Sequence, residues 1–374
     1  MAEQSTLILA GGSALGAYQG GAYETLVEQG FHPDQIFAVS SGAVNAALIA
    51  GNPPEKRISV LRSFWNTAVQ DGAWAFSPFG STVWDNKRGH ALQSLLLGSP
   101  AFFRARFPGI LSMLPGMPTD TGLVEFSPLR ARLDQLVDFE RLNNGEMRVV
   151  IVAVDANSGE EVRFDSNLVT ITVEHLLASC GFIPFFPPTQ IDDRVMVDGG
   201  MTSNLPLEVA LNEPATDDRL CIALDLFRRI APDFNTVGQA MDRQMELLLS
   251  TQSWRALKNL RQCHELRRQL RLLGNQIPKQ QRGDPTLASA LAEGSKTERA
   301  TTLLMLCHAG VSHDSEMRAF DFSRPSLTER WDVGRSDMTH ALEALGSKRA
   351  QPGEFTIHAF NGSEAIHDAD IDSR

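Results

Sequence analysis

Three short stretches carry residue types that can do chemistry together. The first, "LAGGSALGAYQGGAYETL", sets glycines at 11, 12, 16, 20 and 21 between an apolar run and a helix-like segment. Glycines placed so let backbone N–H groups approach a negative group. The second, "FAVSSGAVNAA", puts Ser40 where an apolar run meets a segment of small residues. That is the setting of a nucleophile elbow, G-x-S-x-G, whose five places are filled by Ala38, Val39, Ser40, Ser41 and Gly42. In the third, "MVDGGMTSNLPL", Asp198 closes an apolar run and is followed by Gly199 and Gly200. Such glycines let the chain turn tightly, and a partly desolvated carboxylate gains basicity. A hydroxyl, a base and an amide cradle for a developing alkoxide are the parts of acyl transfer.

Each part has a plainer reading. A dinucleotide fingerprint laid on Gly11 meets Ser13 at its second glycine and lacks the acidic residue expected further on. A phosphate loop needs Lys and Ser or Thr after its last glycine, where Ala17 and Tyr18 stand. Ser40-Ser41 alone reads as a helix cap, and Asp-Gly-Gly alone as a turn. Two adjacent strand–turn–helix units, one glycine-rich and one serine-bearing, favour the chemical reading. None of the nine histidines follows a strand in a glycine-flanked turn. Two alternatives stay open: a Ser–Asp–His hydrolase using His308, His313 or His340, and an inactive scaffold that binds lipid or protein.

The elements that must hold these groups are legible as strands Ser5–Ala10 and Gln35–Ser40, each followed by a helix, Gly16–Gly30 and Ser41–Gly51. That alternation predicts an α/β fold with a mainly parallel sheet. Further strands are expected in "MRVVIVAVD", "EVRFDS", "DRVMV", "RLCIALDLF" and "TTLLMLCHAG". Helices are expected in "TVEHLLASCGF", from Val237 to about Leu273, and from Ser326 to Gly346, with a loop over "GNQIPKQQRGDPTLAS". Residues 70–125 form a candidate insertion or lid, whose Trp74, Phe76, Phe79 and Trp84 could line an acyl pocket. Residues 350–374 read as a largely irregular tail.

The chain has 374 residues, of which 43% are hydrophobic, and a net charge of -11, which argues against a nucleic-acid partner. Cys180, Cys221, Cys263 and Cys307 are widely spaced, which speaks against structural zinc and fits a reducing, cytoplasmic setting. Neither a secretory leader nor a membrane span is expected. Two segments could touch a membrane peripherally: the apolar, proline-rich 99–118, and 255–282, which holds eight basic residues against one acidic. For the second, a surface helix with its apolar stripe on the domain is the simpler reading.

In this order the three stretches resemble the patatin-like phospholipase family. That family shows G-G-G-x-[RK]-G, then G-x-S-x-G, then D-G-[GA], and "ASCGFIPFFPP" is similar to its stretch before the aspartate strand. The resemblance spans about residues 5–210. It implies a three-layer α/β domain (1–215), a mostly helical C-terminal extension packed on it (216–349), and hydrolysis of lipid acyl esters through an acyl-enzyme. It also implies a Ser40–Asp198 dyad without histidine, an oxyanion hole from the amides of Gly11, Gly12, Ser13 and Ala14, and no metal or cofactor. Gly42, Gly199 and Gly200 would support the elbow and the aspartate turn. Three positions depart from the pattern: Leu15 replaces a cation, Ser13 the third glycine, and Ala38 the first elbow glycine.

Overall fold

The computed structural model describes residues 3–69, 91, 94, 98–213, 216–231, 233–310 and 316–366. In chain order the strands are β1 (Glu3–Leu9), β2 (Gln35–Val39), β3 (Arg104–Ala105), β4 (Val124–Glu125), β5 (Arg148–Asp155), β6 (Glu161–Asp165), β7 (Thr189–Ile191), β8 (Arg194–Asp198), β9 (Asp218–Asp225), β10 (Thr301–Cys307), β11 (Phe355–Asn361) and β12 (Glu364–Ile366). The helices are α1 (Gly16–Glu28), α2 (Ser41–Ala50), α3 (Arg57–Ala68), α4 (Ser127–Leu136), α5 (Phe139–Asn144), α6 (Val173–Cys180), α7 (Leu207–Leu211), α8 (Val237–Gln276), α9 (Pro285–Ser295) and α10 (Arg324–Leu345).

Ten strands make one mixed, mostly parallel sheet in the order β12-β11-β10-β9-β1-β2-β5-β8-β7, with β6 also on β5; β3 and β4 pair separately. Strands β2 and β10 are buried at every residue. Unbroken apolar runs of this kind belong to parallel strands covered on both faces, so helices sandwich the sheet. On one side α1, α2, α3, α6 and α10 pack together; α7, α8 and α9 form a second group.

The glycine-rich opening divides its labour. Gly20 and Gly21 serve α1's packing on α10: a Cβ at Gly21 would lie 1.9 Å from the Trp331 carbonyl oxygen, and one at Gly20 2.4 Å from the Trp331 ring. Gly334 mirrors them, with room for no Cβ against the Tyr18 carbonyl at 2.1 Å. The two backbones therefore touch, and Trp331 donates its indole N–H to Glu24 at 2.8 Å.

The C-terminal half departs from expectation in four places. Its helices are there, but β9 to β12 continue the same sheet, and β9 lies directly against β1 across the boundary expected at 215. The expected irregular tail contains β11 and β12; the alternating "FTIHAFN" pairs along the whole of β10. The expected loop after Leu273 holds the end of α8 and the start of α9, where "TLASALAEGS" is a good helix former. Helix α10 starts at Arg324, with Pro325 in its first turn, and the Ser326 hydroxyl instead donates to Asp321 at 2.6 Å. Trp74, Phe76, Phe79, Trp84 and His313 lie outside the described residues. No helix among the described residues is long and apolar enough to cross a membrane.

Candidate active site

Strand β5 sets the geometry. Its Val150 pairs with Phe37 on one side and Asp165 on the other, and its Ala153 with Asp198 and Val162. Strands β2 and β8 therefore share one edge of β5, end to end. The last rung of β2 joins Val39 to Val152, and the next residue of β5 faces Asp198. Ser40 and Asp198, 158 positions apart in sequence by their numbers, leave the sheet at neighbouring rungs. Gly199 permits this closeness, since a Cβ there would lie 2.5 Å from the Val152 carbonyl.

Ser40 occupies a conformation that L-residues rarely adopt, with φ 54° and ψ -124°. Such a residue costs about 1–3 kcal/mol and needs neighbours that enforce it. Its N–H donates to Ser179 Oγ at 2.9 Å, and that hydroxyl donates to the Val152 carbonyl at 2.6 Å. Gly42 lets the start of α2 press on the end of β1, where a Cβ would stand 2.5 Å from the Leu9 carbonyl. The turn therefore lifts the Ser40 side chain off the sheet.

Asp198 is 2% exposed. Burial pushes its carboxyl up to about 7, against hydrogen bonds from the Ser40 side chain and the Gly200 N–H that pull it down. The Gly200 bond, to Oδ1, measures 2.7 Å. A carboxylate so placed can take a proton from Ser40 near neutral pH.

The loop after β1 corrects one expectation. Gly11 cannot lend its amide, because that N–H donates to the Asn204 carbonyl at 3.2 Å, and Asn204 Nδ2 returns a bond to the Gly11 carbonyl at 3.1 Å. What Gly11 supplies is clearance: a Cβ would sit 2.8 Å from Ser40 Cβ and 2.8 Å from Asn204 Oδ1. The amides of Gly12, Ser13 and Ala14 donate to no protein acceptor among the described residues. They open the 3₁₀ turn that runs into α1, so their donors remain available to an anion. A buried network braces this loop: Gln19 Nε2 donates to the Ala10 carbonyl at 2.9 Å, Asn45 Nδ2 to Gln19 Oε1 at 3.0 Å, and Trp65 Nε1 to Asn45 Oδ1 at 3.0 Å.

Gly11, Gly12, Ser13, Ser40, Asp198 and Asn204 form the polar end of a cleft of about 380 Å³, whose walls are Phe182, Phe186, Phe227, Met245, Leu249, Ala319 and Phe320. No histidine lines it among the described residues. His308 is buried beside Tyr18, ring centroids 4.5 Å apart, and His340 lies against Phe360.

The profile described as patatin-like phospholipase matches residues 7–211, and one described as patatin phospholipase matches 249–354. The chain belongs to the patatin-like phospholipase family. A curated relative, the uncharacterised protein YqhO of Bacillus subtilis, is 24% identical over 213 residues; the match covers 54% of this chain and 64% of YqhO, less than two thirds of its length. Among solved structures, VipD of Legionella pneumophila is 13% identical with a TM-score of 0.35, over 89% of this chain and 67% of VipD. The type III effector ExoU is 14% identical with a TM-score of 0.28, over 91% of this chain and 80% of ExoU. Likenesses this distant carry nothing further.

As a patatin-like chain it accommodates its three departures in different ways. Ala38 sits inside regular β2, paired with Leu9 and Ile151 and wholly buried, so the missing elbow glycine leaves no strain there. Leu15 is wholly buried as well, in a place that would not tolerate the usual cation. Ser13 bears strain, with φ 52°, where glycine would be at ease. Two positioning residues escaped the sequence reading, Ser179 and Asn204. Both lie in stretches already singled out, "ASCGF" and "TSNLPL", yet only the folded chain brings them to Ser40 and Gly11.

Proposed function

We propose that this patatin-like chain hydrolyses lipid acyl esters with Ser40 as nucleophile and Asp198 as base. The observation that carries the reading is a buried carboxyl, poised near neutrality, that shares the polar end of one cleft with a strained elbow serine. Asp198 takes the Ser40 proton as Ser40 Oγ attacks the acyl carbonyl. The tetrahedral oxyanion rests on the free amides of Gly12 and Ser13, with Ala14 behind them. Asp198 returns the proton to the departing alkoxide, and water, deprotonated by the same carboxylate, frees the acid and Ser40. The phenylalanines of the cleft suit an acyl chain.

The substrate reaches this cleft from a lipid surface, through the segment before β4. Phe107 is 75% exposed, Met113 80%, Ile110 59% and Leu114 56%. Gly109 packs on Leu123, whose N–H donates to the Phe185 carbonyl at 3.1 Å, next to cleft residues Phe182 and Phe186. This apolar loop is thus tied to the mouth. The other candidate, 255–282, has Leu257 and Leu260 buried on the domain and exposes Leu266 and Leu273 far from the cleft lining.

The test is covalent labelling with a fluorophosphonate probe, mapped by mass spectrometry. Labelling at Ser40 that is lost in Ser40→Ala, with at least about a 1,000-fold fall in ester turnover, is the expected result. Well-folded protein that takes no label would instead favour the inactive scaffold.

A further inference from the structure

A second pocket opens at the other end of the sheet. Its floor is a row of neighbouring rungs at the starts of three strands: Arg219 of β9, Thr301 of β10 and Phe355 of β11. Leu260, His264 and Arg267 of α8 form one wall, and Lys296, Thr297 and Arg299 after α9 form another. Six residue steps along β9 separate Arg219 from Asp225 at the opposite end, a span of about 20 Å.

The lining concentrates positive charge in a chain of net charge -11. Arg219, Arg267, Lys296 and Arg299 face one lining carboxylate, Glu213, which Arg148 already holds at 2.6 Å. Glu293, just outside, ties Arg267 at 2.6 Å and Lys296 at 2.5 Å. Arg299 is exposed and makes no ion pair among the described residues.

Two polar nitrogens here are left over. Arg219 is 7% exposed, and its terminal nitrogens donate to the carbonyls of Ala210, Leu211 and Glu213, yet its Nε finds no acceptor. His264 Nε2 is likewise buried without a partner. A buried N–H without an acceptor is destabilising. Burial pushes His264 below its ordinary range, and of its charged neighbours Glu265 pulls it back up while Arg271, Arg267 and Arg268 push it further down. Surplus cations and unspent buried nitrogens thus meet at one pocket.

We infer that this pocket binds a phosphoryl-bearing anion. Cations from three separate elements suit a tetrahedral group with several acceptor oxygens better than a planar carboxylate, which a single arginine fork can satisfy. A free phosphate monoester and the head group of an anionic lipid share this chemistry.

The experiment is thermal unfolding and calorimetry of the full chain with inorganic phosphate, against chloride at equal ionic strength. Vesicles of phosphatidylcholine with and without phosphatidic acid form the second arm. Phosphate is expected to raise Tm, and Arg299→Glu, a change at an exposed residue, to weaken its affinity at least tenfold. Ser40→Ala should leave that affinity unchanged. If only phosphatidic acid vesicles show Arg299-dependent binding, the source is a lipid head group; if soluble phosphate does, it is a free anion. Equal binding by wild type and Arg299→Glu in both arms, or binding in neither, overturns the inference. Because the readout is not hydrolysis, its failure leaves the Ser40 labelling test untouched.

Discussion

At one end of the sheet a single carboxyl is buried among phenylalanines beside a strained serine; at the other, four cations surround one carboxylate that is already paired. The first arrangement disfavours charge, as the proposed base requires. The second holds surplus positive charge, as the proposed anion receptor requires. One helix serves both, since Met245 and Leu249 of α8 line the cleft while Leu260, His264 and Arg267 line the basic pocket. The same scaffold thus yields opposite chemistry, depending on whether its polar groups are isolated from water or crowded by like charge.

Removing the isolated carboxylate should have the largest effect. Asp198→Asn is expected to lower kcat by about 100- to 10,000-fold, the range of a lost general base, while leaving phosphate affinity at the other end unchanged. It should also stabilise the fold. The folded-state pKa of about 7 lies above the ordinary 3.8, so the fold prefers the neutral acid. Stability from that preference is complete below the unfolded value and is lost as pH rises through the folded one. The gap between variant and wild type should therefore be near zero at pH 3 and reach up to about 4 kcal/mol above pH 8. Urea unfolding across that range measures it, and a flat gap would mean that Asp198 is not held as a buried acid.

Leu15→Arg restores the family's usual cation and asks whether the cleft end tolerates surplus positive charge as the pocket end does. Leu15 is wholly buried, so a loss of about 2–4 kcal/mol in urea is expected. An unchanged midpoint with faster turnover would show that the site lies open to solvent. A smaller effect belongs to pH. With Asp198 as the base, turnover would require it without its proton, so kcat/KM should climb about tenfold per unit below pH 7 and level off above it. Phosphate binding at the other end has no such limb tied to Asp198.

The two ends also differed in how far they could be read from sequence. Ser40, Asp198 and their glycines stand in short, contiguous stretches where residue type and spacing encode a turn, and β2, α2 and β8 follow from apolar runs of the right length. What those stretches did not disclose was how long-range contacts spend each group. The Gly11 amide is consumed by Asn204, 193 positions away, and Ser179 reaches Ser40 across 139. The basic pocket is drawn from residues 211 to 355. Its charges lie scattered along the chain on a strand, a helix and a loop, and only the packing of α8 and the loop after α9 against β9, β10 and β11 gathers them. The strands of the C-terminal tail were hidden for a related reason. Strand β11 alternates over only seven residues and β12 over three, too short to stand out of an acidic tail, and they are secured by pairing β11 to β10 and β12 to β11.

The smallest effect separates the apolar surfaces of the two ends. If lipid is met at the cleft, the exposed side chains of 107–114 enter the interface and those of 266–273 do not. Each large apolar side chain partly withdrawn from water contributes about 1 kcal/mol. Met113→Ser with Leu114→Ser should then weaken binding to phosphatidylcholine vesicles by about 10- to 30-fold, and raise KM for vesicle substrate while leaving hydrolysis of a short soluble ester intact. Leu266→Ser with Leu273→Ser should change either quantity less than about twofold. The reverse order would move the lipid contact to the end of α8 beside the basic pocket, and would make the phosphoryl group bound there that of a head group in the same membrane.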